Sequence, residues 1–394
     1  MRHHTKNLKH TRKGAVAVLA CLLMIAMLGL LAFAVDLGYL ANSQTELQRT
    51  ADAAALAACA QLVYSPTPGG QIDAAYNAQM APGVAAQYAA ANKVCGAAPA
   101  LSSNDVVIGY MPDPSQQSAI QTGGDPSQYN AVQVTVRRSA NENGLVPSFF
   151  GKIFGVTGEA TSATATAAFY NNFNGFGIPS TIPPGSSQTT PSLMFLPYAL
   201  DQATWNSLLA GTGSDNFAYT PGGCHTVSSG SDGVLEVNLF PQGTGSPGNR
   251  GTVLVGGNGT STLVRQIENG LSVSDLSSYG GKLQLDSTGN LYLPAKPGIS
   301  AGTKDALASI IGQVRIIPIF SSVSGNGGNA TYDIVGFGGV RVMDVNLTGS
   351  MSSKHLTVQP APIYTLGAIG VGGSGSGSGT TNTAGVYSPV FLVE

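Results

Sequence analysis

From Ala15 to Val35 the chain carries only Ala, Val, Leu, Ile, Met, Phe, Cys and Gly, and no later stretch matches it in length or purity. At roughly 21 residues the run has the length an α-helix needs to cross a hydrocarbon layer about 30 Å thick. Arg2, Lys6, Lys9, Arg12 and Lys13 precede it without a single acid, whereas Asp36, Glu46, Arg49 and Asp52 follow it. An excess of Lys and Arg on one flank marks that flank as cytoplasmic, so everything after the run is expected outside the cytoplasmic membrane. A cleavable signal peptide is the alternative. Its apolar region is usually shorter and ends in a small-x-small site. Here the run passes directly into more helix-forming sequence, and an uncleaved anchor is expected.

The pattern then changes without a break. Leu37 to Leu62 lacks Pro and is dense in Ala, the best helix former. Leu37, Leu40, Gln44, Leu47, Ala51, Ala54 and Ala58 recur at steps of three and four, which places them on one helical stripe. Residues 15–61 are thus expected to form one rod of about 70 Å. A second Ala-rich helix is read over Gln71–Val94, with a kink or break at Ala81-Pro82-Gly83. Asp105–Tyr110 and Tyr129–Val136 read as strands, the second with clean period-two alternation of Val132, Val134 and Val136. Val146–Gly155 reads as a short apolar helix covering them, with Pro147 in its first turn. Glu159–Phe169 returns as a strand.

Asn171–Pro191 is rich in Gly, Pro, Ser and Thr without periodicity and reads as a linker. Beyond it, strands are expected at Gly233–Phe240, Thr252–Val255, Val314–Phe320 and Tyr332–Leu347, the last bent or bulged at Gly336 or Gly338-Gly339. Helices fit Asp201–Leu209, Ser261–Asn269 and Thr303–Ile311, with Asp201 a cap and Trp205 a core anchor. Gly372–Gly385 is flexible in composition, and Val386–Glu394 is apolar enough to return as a terminal strand.

The N-terminal motifs carry a resemblance. Gly14-Ala15-Val16-Ala17-Val18 opens the pattern and Ala34-Val35-Asp36-Leu37-Gly38-Tyr39-Leu40 continues it. The stretch from Thr45 to Ala58, Thr-Glu-Leu-Gln-Arg-Thr-Ala-Asp-Ala-Ala-Ala-Leu-Ala-Ala, completes it. This region resembles TadG-like (Tad/Flp pilus-assembly TadE/G-like) proteins over about 45 residues, and more loosely over about 160. Thr50 stands where such proteins more often have Ala, and is read as lying on an exposed face. Leu19 stands where a prepilin processed after Gly14 would carry Glu, so the basic tail is expected to stay. The resemblance implies a component of an envelope machine that builds or anchors Flp-type pili.

The resulting fold expectation is α+β: a single N-terminal transmembrane helix continuing as a long pilin-like helix, a small antiparallel sheet module, then a second α+β domain. The segments are 1–13, a basic cytoplasmic tail; 14–36, the transmembrane anchor; 37–170, the pilin-like module; 171–191, the linker; 192–362, the C-terminal domain; and 363–394, a Gly/Ser-rich segment with a terminal strand. Contact with partner helices is assigned to Asp36, Gly38, Leu47, Gln48, Asp52, Ala53 and Ala54. Asp36 and Asp52 each have a plainer reading, as an interfacial acid and as a solubilising charge.

Composition narrows the function. Charged residues make up 10% of the chain and Gly numbers 52, in keeping with an exported protein that relies on neutral polar groups. A net charge of −2 gives no basic field for nucleic acid. Of the four Cys residues, Cys21 sits in the apolar run, Cys59 and Cys95 are a possible disulfide in an oxidising compartment, and Cys224 beside His225 reads as a loop thiol. No HExxH, CxxC, Walker loop or G-x-S-x-G elbow occurs in a fitting context. Asp275-Leu276-Ser277-Ser278-Tyr279 lacks the last Ser of an Asp-x-Ser-x-Ser metal site, and Asp344–His355 reads as polar residues bordering a strand. No catalytic residue, metal or cofactor is assigned. The expected role is a structural, single-pass component of the inner membrane, in contact with the lipid bilayer and with other pilus or secretion-apparatus subunits, and with itself if the N-terminal helix self-associates. The alternatives are a membrane-tethered extracytoplasmic hydrolase or glycan-binding module, and a minor pilin within the fibre.

Overall fold

The computed structural model describes residues 13–64, 72–179, 181, 190–220, 226–240, 250–325, 327–350, 352–370 and 385–393. The basic tail before Lys13, the Cys224–His225 pair and most of the Gly/Ser-rich segment lie outside the described residues.

Helix α1 (Lys13–Gln61) is one unbroken element of 49 residues. The side chains of its apolar run stand exposed, Leu22 at 61% and Phe33 at 66% among them, and this is the one helix among the described residues long and apolar enough to cross a membrane. Further along, Leu47, Ala51, Ala54 and Ala58 are fully buried, so the predicted stripe is real from Leu47 onward. Leu37 and Gln44, at its start, are exposed. Thr50 is also buried, contrary to its reading as an exposed position. Helix α2 (Ala74–Ala91) runs through Pro82 without the expected break. Ala81, Ala85 and Ala89 on one of its faces are fully buried, and such packing holds a helix across a missing N–H.

The chain continues through β1 (Val106–Gly109), β2 (Ala131–Arg138), the short pair β3 (Val146–Pro147) and β4 (Gly158–Glu159), and β5 (Thr161–Ala168). Next come β6 (Phe173–Gly177), β7 (Tyr198–Asp201), α3 (Gln202–Leu209), the hairpin β8 (Phe217–Thr220) and β9 (Thr226–Ser229), and β10 (Val237–Phe240). Then follow β11 (Gly251–Val253), α4 (Thr260–Asn269), β12 (Lys282–Gln284), β13 (Leu291–Pro297) and α5 (Lys304–Ser309). The last strands are β14 (Val314–Ser324), β15 (Ala330–Asn346), β16 (His355–Pro360), β17 (Ile363–Tyr364), β18 (Ala368–Gly370), β19 (Val386–Tyr387) and β20 (Phe391–Leu392). The whole is α+β.

Residues 171–191 are not simply a linker: β6 lies within them and pairs with both β12 and β18, with Phe173 and Phe176 fully buried. Val146–Gly155 is not a covering helix either. Pro147 belongs to β3, and only Gly151–Phe154 makes a turn of 3-10 helix, with its apolar side chains exposed.

Contacts divide the chain into two compact units whose boundaries fall inside α1, α2, β1, β2 and β5 rather than at the expected linker. The first holds residues 1–55, 83–106 and 133–165 and the second holds the rest. A four-stranded sheet has the order β1-β2-β5-β20. In the second unit a seven-stranded sheet runs β10-β16-β15-β13-β11-β7-β14, and β14 also pairs with β15, so β7, β11, β13, β15 and β14 close into a ring. The β7–β14 pairing is parallel and the others antiparallel, which makes the sheet mixed. Ile319 pairs with Gly336 and Phe320 with Ile334, leaving Val335 as a bulge beside the expected glycine. Side chains alternate between two cores: Ala199, Ile316 and Phe320 enter one, while Tyr198, Leu200, Ile317 and Ile319 enter the other with helix residues Trp205, Ile267 and Leu307. Asp201 caps α3 by accepting from the Thr204 N–H at 2.9 Å.

Trp205 lies flat against β15. A Cβ built on Gly338 would stand 2.7 Å from the Trp205 Cζ2, closer than packing allows. Gly338→Ala is therefore expected to destabilise the chain by about 1–3 kcal/mol through overpacking. Urea unfolding followed by Trp205 emission measures it, and an unchanged midpoint would remove this account of the glycine.

In the first unit Asp105 is buried beside Arg137, whose Nε donates to it at 2.7 Å. Burial opposes ionisation of Asp105, but hydrogen bonds from Ser102 N–H and Oγ and from Arg137 outweigh it and hold the carboxyl below its ordinary value. Its contribution to stability is thus present above about pH 4, the usual Asp value, and is lost as pH falls through the lower folded value. Asp105→Asn is expected to flatten the acid side of a stability–pH curve below about pH 4, and an unaltered acid limb would contradict the assignment.

Candidate functional site

The site forms where the apolar run ends. Asp36, one residue past Val35, accepts hydrogen bonds from three successive backbone N–H groups: Phe149 at 2.7 Å, Phe150 at 3.1 Å and Gly151 at 2.8 Å. The Ser148 hydroxyl donates to the same carboxylate and also accepts from the Gly151 N–H at 2.9 Å. Consecutive amides turned toward one point form a concave nest that favours an anion. Here the anion is a side chain from a helix more than a hundred residues earlier in the sequence.

Local chemistry explains why this loop folds as it does. β3 and β4 pair Val146 with Glu159 and Pro147 with Gly158, which closes the loop between them. Gly155 takes a left-handed conformation (φ 84°) and ends the 3-10 turn. A Cβ at Gly151 would collide with Ser148 Oγ, so only glycine lets that hydroxyl share the nest. Tyr39, almost one turn after Asp36, packs edge-to-face on Phe149 with ring centroids 5.0 Å apart. Beside the latch a groove of about 630 Å³ is lined mainly by Phe33, Leu37, Leu40, Val146, Phe154 and Val156.

The next turns of α1 are bonded to the same unit. Gln44 Nε2 donates to the Ser162 carbonyl at 3.0 Å and Gln48 Nε2 to the Thr164 carbonyl at 3.5 Å, so two glutamines one turn apart cover alternate carbonyls of β5. Gln48 also donates to Asp52 at 2.8 Å. Glu46 accepts from the Cys95 N–H at 2.7 Å, and Thr50 Oγ1 donates to the carbonyls of Glu46 and Asn92 at 2.8 and 3.3 Å.

These contacts correct several expectations. Leu47 and Ala54, assigned to partner contact, are covered by the chain itself, and Gln48 is engaged with β5 and Asp52. Asp52 and Ala53 are half-buried. Asp36 is bound within its own chain. Gly38 alone of the set lies exposed and unengaged, with open space around a built Cβ. Cys59 and Cys95 are free thiols, not a disulfide. Cys95 Sγ donates to Ser43 Oγ at 3.1 Å, whereas Cys59 lies 16 residues further along α1, about 24 Å at the rise of a helix and beyond the reach of a bridge. Burial pushes the Cys59 thiol pKa up, which removes it from thiolate chemistry.

No group of three or more His, Cys, Asp or Glu placed to hold a metal occurs among the described residues. His355 contacts Asp344 through Nε2 at 2.5 Å and the Ser353 carbonyl through Nδ1 at 3.0 Å, which leaves neither ring nitrogen for a serine hydroxyl. Asp275 is bonded to Arg265, Gln266 and Ser272 and serves the fold. The Asp36 latch itself was missed from sequence. Its only signals were an acid at the end of an apolar run and the Ser-Phe-Phe-Gly string, and nothing linear joins them.

Residues 14–75 match the family model for Tad, the Flp pilus-assembly TadE/G-like proteins. This region is TadE/G-like. The match spans α1 and reaches the start of α2, so Asp36, Gln44, Glu46 and Gln48 all fall within the TadE/G-like segment, while the elements they bind lie beyond it. No curated protein and no solved structure matches the chain. The TadE/G-like region and the single membrane-length helix together fit a pilus-assembly component held in a membrane by one span.

The latch can be opened singly. Hydrogen bonds to a charged acceptor are worth about 1.5–3 kcal/mol, so Asp36→Ala is expected to speed hydrogen exchange at the 149–151 amides by about 10- to 100-fold. Mass spectrometry of exchanged peptides measures this, and unchanged protection would show that the carboxylate does not hold the loop.

Proposed function

We propose that the protein is a structural, non-catalytic component of a Tad/Flp-type pilus or a related secretion apparatus. It sits in the cytoplasmic membrane with its N-terminus inside and its folded units outside. The observation that carries this reading is the unbroken helix that passes from a membrane-length apolar run into a motif-bearing, TadE/G-like stretch. The basic flank before the run and the acids after it support the orientation.

Partner subunits are taken to dock on the face of α1 that the chain leaves uncovered. Gly38, Thr45 and Arg49 lie exposed along it, and the glycine there allows close helix approach. The same face serves a second copy if the protein self-associates. His355 and Asp344 are engaged with each other and with a backbone carbonyl, which favours the structural reading over a hydrolase.

Gly38→Phe tests the docking face, because among the described residues nothing stands within 4 Å of a Cβ built there. The variant is expected to fold and fractionate with membranes as wild type does, while cross-linking to pilus-assembly subunits and the number of piliated cells fall by about tenfold, the change expected if docking weakens by roughly that factor. Normal piliation would overturn the assignment of this face, and normal piliation in a strain lacking the whole gene would overturn the function.

A further inference from the structure

Outside the apolar run, exposed large apolar side chains among the described residues occur singly or in pairs such as Tyr76 and Met80 or Tyr364 and Leu366, and one stretch is denser. Phe149, Phe150, Ile153, Phe154 and Val156 crowd into eight positions, and Ile153 and Phe154 are 77% and 83% exposed. Such a contiguous patch marks an interaction surface, whereas single exposed residues need no explanation.

The patch has a fixed address. Its loop is bound to Asp36, the residue that ends the membrane-length run, and Phe149 is packed against Tyr39. Phe154 and Phe33, the latter inside the run, line the same groove. Apolar surface of the run and of the loop thus meet in one groove, beside the polar latch of Asp36 and Ser148. Lys152 lies exposed at the centre of the patch, and a long aliphatic stem with a terminal charge suits a border between apolar and polar surroundings. Aromatic and aliphatic side chains with a flanking cation are the composition of segments that sit at a membrane interface.

We propose that Phe149–Val156 is a second membrane contact: a loop that inserts Phe150, Ile153 and Phe154 into the interfacial zone of the leaflet from which α1 emerges. The inference goes beyond the pilus-assembly reading and rests on it only in taking residues 15–35 as a membrane span. A lone helix is free to turn about its own axis. A loop latched to one side of that helix and immersed in the same leaflet fixes which side of α1 leans toward the lipid surface, and so holds the Gly38 face at a set inclination to the membrane.

The test uses the full chain in phosphatidylcholine liposomes, with lipid brominated either near the headgroup end or near the methyl end of its acyl chains. Phe154→Trp adds an emitter at the loop, and the wild-type chain, whose sole Trp is Trp205, supplies the baseline. The added emission is expected to be blue-shifted and quenched about twofold or more, most strongly by the shallow bromines. Ile153→Trp repeats the measurement if the first variant is poorly made. Emission typical of water overturns the proposal. So does blue-shifted emission that bromine leaves untouched, which would point to protein, such as a second copy, as the occupant. Flotation of the same liposomes separates the two readings: a chain that fails to float refutes the anchor, whereas a chain that floats with an unquenched Trp refutes the loop contact alone.

Discussion

An ionised carboxylate at the end of roughly twenty apolar residues has to be given partners, because leaving it bare next to hydrocarbon is costly. Asp36 receives them as three backbone N–H groups and one hydroxyl, with no Lys or Arg among them. That choice has consequences. A cation in the same place would bring its own desolvation penalty, while a nest of amides stabilises the anion with dipoles already fixed by the turn. Backbone donors also demand little of the loop's sequence: a glycine at 151 to make room, a serine at 148, and freedom elsewhere. That freedom is what allows Phe149, Phe150, Ile153 and Phe154 to sit around a polar latch without disturbing it.

The same helix answers to two solvents. Within lipid every backbone polar group must be paired inside the segment, which an α-helix does by itself. Beyond Asp36 the backbone continues unchanged and only the side chains alter their task. Leu47, Ala51, Ala54 and Ala58 are fully buried, and their small size lets other backbones approach closely. Gln44 and Gln48 meet carbonyls of β5, a strand whose pairing with β20 is confined to Ala167 and Ala168. Unpaired edge groups invite another chain. Here two side chains of the protein's own helix occupy them.

Sequence pattern identified what each segment is more readily than what it touches. The long helix, α3 with its Asp201 cap, and the bulge beside Gly336 were legible because propensity, capping and periodicity are local. Burial of the Leu47–Ala58 stripe was legible too, but periodicity only says that a face is covered. It was read as waiting for a partner, and the chain covers it itself. β6 was hidden by composition: in Asn-Asn-Phe-Asn-Gly-Phe-Gly the glycine and asparagine suggested a linker, while two phenylalanines carried the burial. Pro82 misled in the opposite direction, since packing of Ala81, Ala85 and Ala89 outweighs the loss of one hydrogen bond. The Asp36 latch was illegible because its two halves are separated by a fold that neither half encodes.

This bears on what the TadE/G-like resemblance means for the chain. Within the matched region several residues are engaged in seating α1 on the chain itself: Gln44 and Gln48 on β5, Glu46 on the Cys95 amide, Thr50 on the Asn92 carbonyl, and the alanines in the packed stripe. A motif used this way specifies how the helix is held, and leaves open whom the assembled unit meets. The proposed docking then falls to exposed positions of the same stretch, Gly38, Thr45 and Arg49 among them. A helix held by one set of side chains and exposed along another lets seating and recognition be set separately on a single element.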